Sequence, residues 1–198
     1  MELLLEWDNA LFQLINQQWA SEKLDAFMRM LSSKYTFIPF YIWFIVKVIK
    51  DYGRKFYLPL LIAVIAFALA DSISAKVFKP GFKRLRPAFE ETLNPRLPDG
   101  MPGGKYGFVS SHAANAFAIY PLLILIGLSK KKMTFKTNKT MKIGFWMSVL
   151  VAVAISYSRV YLGRHYVGDV FFGGMLGAII GHSLWSVYNR YLRAKLNS

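Results

Sequence analysis

Four apolar runs, residues 56–78, 111–129, 141–162 and 166–190, bound what this chain can fold into. A helix needs about 20 mostly apolar residues to cross the hydrocarbon core of a bilayer, and each run is close to that length. A fifth run, 35–50, is shorter but rich in Phe, Tyr, Ile and Trp, and tilting or flanking residues can complete it. The expected fold is all-α: a polytopic transmembrane helix bundle of about five spans, or six if the N-terminal helix inserts. Residues 1–198 read as one membrane-embedded domain, since no linker, repeat or low-complexity tract interrupts them.

Hydrophobic residues make up 55% of the chain and charged residues 18%, below the usual quarter or so. The formal charge of +14 would suit nucleic acid, but the cations cluster between apolar runs and no nucleic-acid motif accompanies them. They read instead as loops facing anionic headgroups, plus a basic site for an anionic substrate. Cysteine is absent, which excludes disulfides, zinc thiolates and iron–sulfur clusters. The chain opens with Glu2, Glu6 and Asp8 where a signal peptide has a basic region, so membrane delivery is expected from the spanning segments themselves.

Leu4, Trp7, Leu11, Leu14 or Ile15, and Trp19 recur at helical spacing, with Gln13, Asn16 and Gln17 opposite. This predicts an amphipathic helix lying in the interface, and Leu24, Phe27, Met28 and Leu31 suggest a second, so 1–34 reads as interfacial. The alternative, a first spanning helix, is weakened by the polar residues that interrupt it. Lys47, Lys50, Arg54 and Lys55 follow the first span. Lys130, Lys131, Lys132, Lys136, Lys139 and Lys142 follow the third, and Arg190, Arg193 and Lys195 the last. With five crossings these basic regions share one side, expected to be the cytoplasm, together with the C-terminus. Residues 1–34, 79–110 and 159–165 then face outward.

The polar residues at the span ends carry the chemistry. Lys79 ends the second span and is followed by Lys83, Arg84 and Arg86-Pro87. Arginine offers a planar fork of donors to phosphate oxygens and lysine a compact charge, although a basic turn more often only meets headgroups. Ser110-Ser111-His112 opens the third span, where unpaired N–H groups suit an anion and where a serine also serves as a simple helix cap. Ser158-Arg159 closes the fourth span, Gly163 allows a turn, and His165 and Asp169 open the fifth. Four residues apart on a helix, the imidazole and carboxylate share a face, so Asp169 can accept the Nδ1–H of His165 and leave Nε2 free to attack. A structural ion pair is the plainer reading of that couple alone. If the segmentation holds, all these groups meet at one membrane face.

In these motifs the chain resembles the type 2 phosphatidic acid phosphatase (PAP2) superfamily, in its membrane lipid phosphatase branch. The signature Lys-x6-Arg-Pro is matched by Lys79 and Arg86-Pro87, and Ser-Arg-x5-His-x3-Asp by Ser158-Arg159, His165 and Asp169. In Pro-Ser-Gly-His, Ser110 and His112 match, while Val109 and Ser111 replace the proline and glycine. The resemblance covers roughly 56–190, the expected catalytic core. It implies that His165 attacks phosphorus, Asp169 orients it, and His112 protonates the leaving oxygen and then activates water. Lys79, Arg86, Arg159, Ser110 and the backbone near Ser111 would hold the phosphate oxygens. No metal-ligand cluster is visible in the sequence, so no cofactor is expected and activity should be metal-independent.

The expected activity is removal of phosphate from a lipid phosphate or diphosphate at the outer face of a bacterial inner membrane, with membrane lipids as the surroundings. Undecaprenyl diphosphate leads among the substrates, with lipid A phosphates and phosphatidylglycerol-phosphate as competitors. A lipid-binding or transport protein on the same fold is the non-enzymatic alternative; a vanadate-dependent oxidase is a poor match to so apolar a chain. The Gly103-Gly104-Lys105-Tyr106 stretch is placed to influence the choice of head, and Tyr106, Phe108 and Phe82 to line a lipid entrance. His182 reads as a packed, hydrogen-bonded residue. Asp71, inside the second span, either supports a site cation such as Lys79 or Arg159 or bonds a neighbouring hydroxyl. The glycines Gly173, Gly174, Gly177 and Gly181 point to close helix packing within the bundle.

Overall fold

A computed structural model of the chain describes residues 2–90, 92–100, 102–129 and 138–196; of residues 2–4, 194 and 195 it describes the backbone alone. Lys130, Lys131, Lys132 and Lys136 lie outside these residues, as do the side chains of Leu4 and Lys195. Helices α1 (Glu2–Gln13), α2 (Glu22–Ser32), α3 (Ile38–Tyr52) and α4 (Tyr57–Ser72) come first. A wide turn, Ile73–Phe78, carries α4 into α5 (Lys79–Phe82). Then follow α6 (Ser111–Leu128), α7 (Lys139–Tyr161) and α8 (Val167–Val187), which continues through Tyr188–Leu192 into α9 (Arg193–Leu196). Among the described residues the only β pairing is the isolated bridge of Leu85 with Tyr106.

Four helical segments are long and apolar enough to cross a membrane: Tyr57–Phe82, Ser111–Leu128, Lys139–Tyr161 and Val167–Leu192. The fifth expected span, α3, has 15 residues, roughly 22 Å at 1.5 Å per residue, against a core of about 30 Å. It starts level with the middle of α6, where the Tyr41 and Tyr120 hydroxyls are 3.1 Å apart. It ends where the Tyr52 hydroxyl meets that of Tyr188 at 2.6 Å. The bundle thus has four long spans and a shorter apolar helix, α3, that packs Phe44, Val48 and Tyr52 along the distal half of α6 and leaves Ile42, Ile45 and Ile49 exposed.

Lipid offers no hydrophobic drive between helices, so association rests on close packing. On α8 the glycines Gly173, Gly177 and Gly181 face α6. A Cβ on them would lie 2.6 Å from the Ser110 carbonyl oxygen, 2.2 Å from that of Ala114 and 2.8 Å from that of Ala118. The outward faces carry a belt of large apolar side chains, including Leu61, Val64 and Phe67 on α4, Trp146 and Leu150 on α7, and Phe171 and Ile179 on α8. In water such a surface would be a liability; in a bilayer it is the solvated face.

The N-terminal helices lie at the end of the bundle where α6 and α8 begin. Trp7, Leu11 and Trp19 are exposed, as an interfacial helix requires, while Asn16 from the predicted polar face is fully buried. Its amide donates to the carbonyls of Tyr161 at 2.7 Å and Arg96 at 2.9 Å, and its oxygen accepts from Arg96 N at 2.8 Å. Asp25 pairs bidentately with Arg96, at 2.8 and 2.6 Å, which holds the Asp25 carboxyl below its usual range. Polar residues just beyond α1 and on α2 therefore anchor the N-terminal helices to the bundle.

If the glycine contact sets the distance between α6 and α8, Gly177→Ala will lower the unfolding free energy in detergent by about 1–3 kcal/mol, the usual cost of overpacking. Gly81→Ala, whose new Cβ meets nothing within 4 Å, serves as the control. Thermal unfolding followed by tryptophan fluorescence measures both, and equal midpoints would sink the packing account.

Candidate active site

The expected site residues come from four helix ends and the loop between α5 and α6. That loop folds back on itself: Arg86 N donates to Lys105 O at 3.0 Å and Gly107 N to Arg84 O at 2.9 Å. Arg86 Nε donates to Tyr106 O at 3.2 Å, so the guanidinium is aimed by the strand opposite it. After α7 the chain reverses through Gly163, at φ +71°, where a Cβ would lie 2.7 Å from the Arg96 carbonyl oxygen. Only glycine fits both that conformation and that approach. The turn delivers His165 to the start of α8.

A cavity of about 580 Å³ opens between these ends. Lys79, Arg86, Ser111, His112, Arg159 and His165 line its upper part, and Phe67, Ile119, Tyr120 and Ile155 its depth. Lys34 and Arg164 also line it, so five cations face one lining carboxylate, Asp71. That imbalance in a confined space calls for an oxyanion. An apolar continuation toward the bundle interior suits a chain attached to the anion.

His165 Nδ1 lies 3.3 Å from Asp169 Oδ2, and both residues are buried, at 1% and 0% exposure. Asp169 Oδ2 also accepts from Tyr166 N at 3.1 Å, and Oδ1 from Arg84 Nη1 at 3.0 Å. Burial, reinforced by the charges of Arg86, Arg159 and Lys79, holds the His165 imidazole well below its ordinary value and hence neutral at pH 7. His112 is open to the cavity on the first turn of α6. Burial also lowers the Arg86 guanidinium, followed by the charge of Arg164.

The departures from the family motif have defined places. The Ser111 hydroxyl accepts from Lys79 Nζ at 2.9 Å and from Ser74 Oγ at 2.8 Å, so the serine in the glycine position helps to aim the lysine. Ser110 lies behind the cavity at 0% exposure. Its hydroxyl accepts from Ala113 N at 3.5 Å and its own N–H donates to Asp169 O at 2.9 Å. It caps α6 and ties it to α8. Arg159 reaches the Ser32 hydroxyl with one guanidinium nitrogen.

Several neighbours were not singled out by the sequence. Arg84 lay within a basic run whose members spacing could not rank, and it bonds Asp169. Arg164 pairs with Asp99 at 2.5 Å beside Arg86. Gly107 leaves room for the pair, since a Cβ there would lie 2.8 Å from Asp169 Oδ2. The Asp71 carboxylate accepts from the Asn115 amide at 3.3 Å and its charge also acts on the Lys79 ammonium, while its backbone carbonyl accepts from the Ser74 hydroxyl at 2.9 Å. Other expectations change. His182 is exposed on α8 rather than packed. Phe82 and Phe108 pack as a tilted pair with ring centroids 4.7 Å apart, beside Phe78 and Phe172 and away from the cavity wall, whereas Gly103 and Gly104 do line it.

Comparison with known proteins agrees with this geometry. A sequence model of the PAP2 superfamily matches residues 56–193. The chain is 31% identical to the lipid A 4'-phosphatase of Porphyromonas gingivalis over 191 residues, 95% of this chain and 75% of that protein. It is 28% identical to phosphatidylglycerophosphatase B of Bacillus subtilis, over 84% of this chain and 74% of that one. Among solved structures, the transmembrane PAP2-type phosphatidylglycerolphosphate phosphatase of Bacillus subtilis superposes with a TM-score of 0.72 at 20% identity, covering 98% of this chain and 90% of that one. LpxE of Aquifex aeolicus gives 0.64 at 25% identity, covering 89% and 93%. A membrane-spanning bundle, a cation-lined cavity and a family match across its whole core make this chain a member of the PAP2 superfamily and a lipid phosphatase of that type.

Proposed function

We propose that the enzyme hydrolyses a phosphate monoester on a lipid head at the outer membrane face through a phosphohistidine, with a lipid A phosphate as the leading substrate. The observation that carries this is the buried His165–Asp169 pair at the mouth of a cationic cavity with an apolar floor. His165 Nε2 attacks phosphorus as the bond to the lipid oxygen breaks, and His112 gives that oxygen its proton. Water then attacks phosphorus, His112 takes its proton, the P–N bond breaks, and inorganic phosphate leaves. Lys79, Arg86 and Arg159 hold the equatorial oxygens, together with N–H groups opening α6 near Ser111, and stabilise the charge that develops there. Ser110 contributes by capping α6, and Asp169 by fixing the tautomer of His165. These cations supply the charge neutralisation a metal would otherwise give.

The substrate order differs from the one the motifs alone favour. The lipid A 4'-phosphatase similarity spans nearly the whole chain, which supports lipid A ahead of phosphatidylglycerol-phosphate, and both ahead of undecaprenyl diphosphate. The outward orientation is supported by Lys47, Lys50, Arg54 and Lys142, which lie toward the bundle end away from the site, where Tyr52 meets Tyr188. On this reading the enzyme sits in a bacterial inner membrane with its C-terminus in the cytoplasm.

In detergent, wild type should release phosphate from lipid A faster than from phosphatidylglycerol-phosphate or undecaprenyl diphosphate, and a chelator should leave the rate unchanged. His165→Ala should lose on the order of 10³-fold or more, as removal of a nucleophile does; a mutant at full rate refutes the mechanism. Orientation has its own test. Lys105→Cys should react with an impermeant thiol reagent in intact cells and Arg54→Cys should not; the reverse pattern inverts the topology.

The depressed His165 value also gives a pH signature. Below pH 6.5 the unfolded chain binds a proton that the folded state refuses, so stability falls as pH drops from about 6.5 toward the folded value. Between pH 6.5 and 5.5 wild type should lose about 1 kcal/mol more than His165→Gln. Parallel unfolding curves would contradict a neutral buried imidazole.

A further inference from the structure

Asp169 is held on both of its oxygens. Oδ2 faces His165 Nδ1 while Oδ1 accepts from Arg84 Nη1 at 3.0 Å, so the arginine fixes the plane in which the carboxylate meets the histidine. Arg84 is itself held. Its other terminal nitrogen donates to Asp8 Oδ2 at 2.7 Å, and its guanidinium lies 4.1 Å from the centre of the Tyr166 ring. Asp8 Oδ1 accepts from Gly168 N at 2.8 Å, an unpaired N–H of the first turn of α8, where a carboxylate is favoured. One side chain of α1 thereby grips both the start of α8 and the arginine behind Asp169.

We propose that Asp8 and Arg84 are positioning residues of the phosphatase reaction, so that the N-terminal helix is a working part of the active site. Neither residue lines the cavity, and Asp8 lies outside the 56–193 family match. A fully buried carboxylate that loses its cation rotates or seeks another partner. Here that rotation would release His165 Nδ1 and misdirect Nε2 at the moment of attack. Lys79, Arg86 and Arg159, which grip the ground-state phosphate, would be untouched. The loss should therefore fall on kcat and spare KM.

The inference rests on His165 as nucleophile, so the assay carries His165→Ala alongside. With full-length protein in detergent and dioctanoyl phosphatidic acid as probe, Arg84→Ala should lose roughly 10–100-fold in kcat, the range typical when an outer support of a site is removed. Its KM should stay within about threefold. Added methylguanidinium should restore part of the rate, which it would not do for a general folding defect. Asp8→Asn should show a smaller loss of the same kind, and Arg84→Lys an intermediate one; both keep the test open if Arg84→Ala does not fold. Glu6→Gln, which removes an exposed acid from the same helix, should match wild type. A full rate in Arg84→Ala beside a dead His165→Ala overturns this inference alone, as does a loss that methylguanidinium leaves unchanged. A His165→Ala that retains its rate overturns the nucleophile reading and this one with it.

Discussion

The whole site depends on how closely α8 lies against α6. Three glycines on α8 sit where any side chain would collide with α6 carbonyl oxygens. In lipid this approach yields dispersion contacts along both helices without burying them from water, so stability and geometry come from the same feature. Because the glycine row begins at Ser110, it sets the spacing between the first turns of the two helices. The Ser110 N–H can then bond the Asp169 carbonyl at 2.9 Å, and His112 and His165 face one cavity. A wider bundle would keep every motif residue and lose their convergence.

Electrostatics works against this assembly until an anion arrives. Lys79, Arg86, Arg159 and Arg164 are crowded at the cavity wall, and the protein offsets them locally rather than completely: Asp99 beside Arg164, hydroxyls of Ser111 and Ser32 on Lys79 and Arg159, and a backbone carbonyl on Arg86. Neutral acceptors fix the cations in place without cancelling their charge. Burial, reinforced by this crowding, keeps His165 unprotonated, which is the form that can attack.

The sequence made the broad design legible because its signals are periodic or tightly spaced. Apolar run lengths identified the crossing helices, and the fixed intervals among Lys79, Arg86, Arg159, His165 and Asp169 placed the polar groups at their ends. The length of α3 was harder, since an apolar run carries no record of the depth at which it stops. Asn16 was read only as part of a polar face, and Asp25 and Arg96 escaped notice, because their partners lie 71 to 145 positions away with no intervening pattern. Arg84 was hidden among equivalent cations, and Gly107 is explained only by the atoms it leaves room for. Ser111 looked like a blemish in a motif until its hydroxyl was seen to bond Lys79.

The N-terminal anchor has a consequence for synthesis. Asp8 meets Gly168 across 160 positions and Asn16 meets Tyr161 across 145. The docking surface of α1 is therefore complete only once the start of the last spanning helix has been made, although Arg84 and Arg96 offer partners to the N-terminal segment earlier. A chain interrupted before α8 would keep both histidines but lack Asp169, and would leave Asp8 without the Gly168 N–H. The site is thus complete only when α1 and α8, far apart in the sequence, have met.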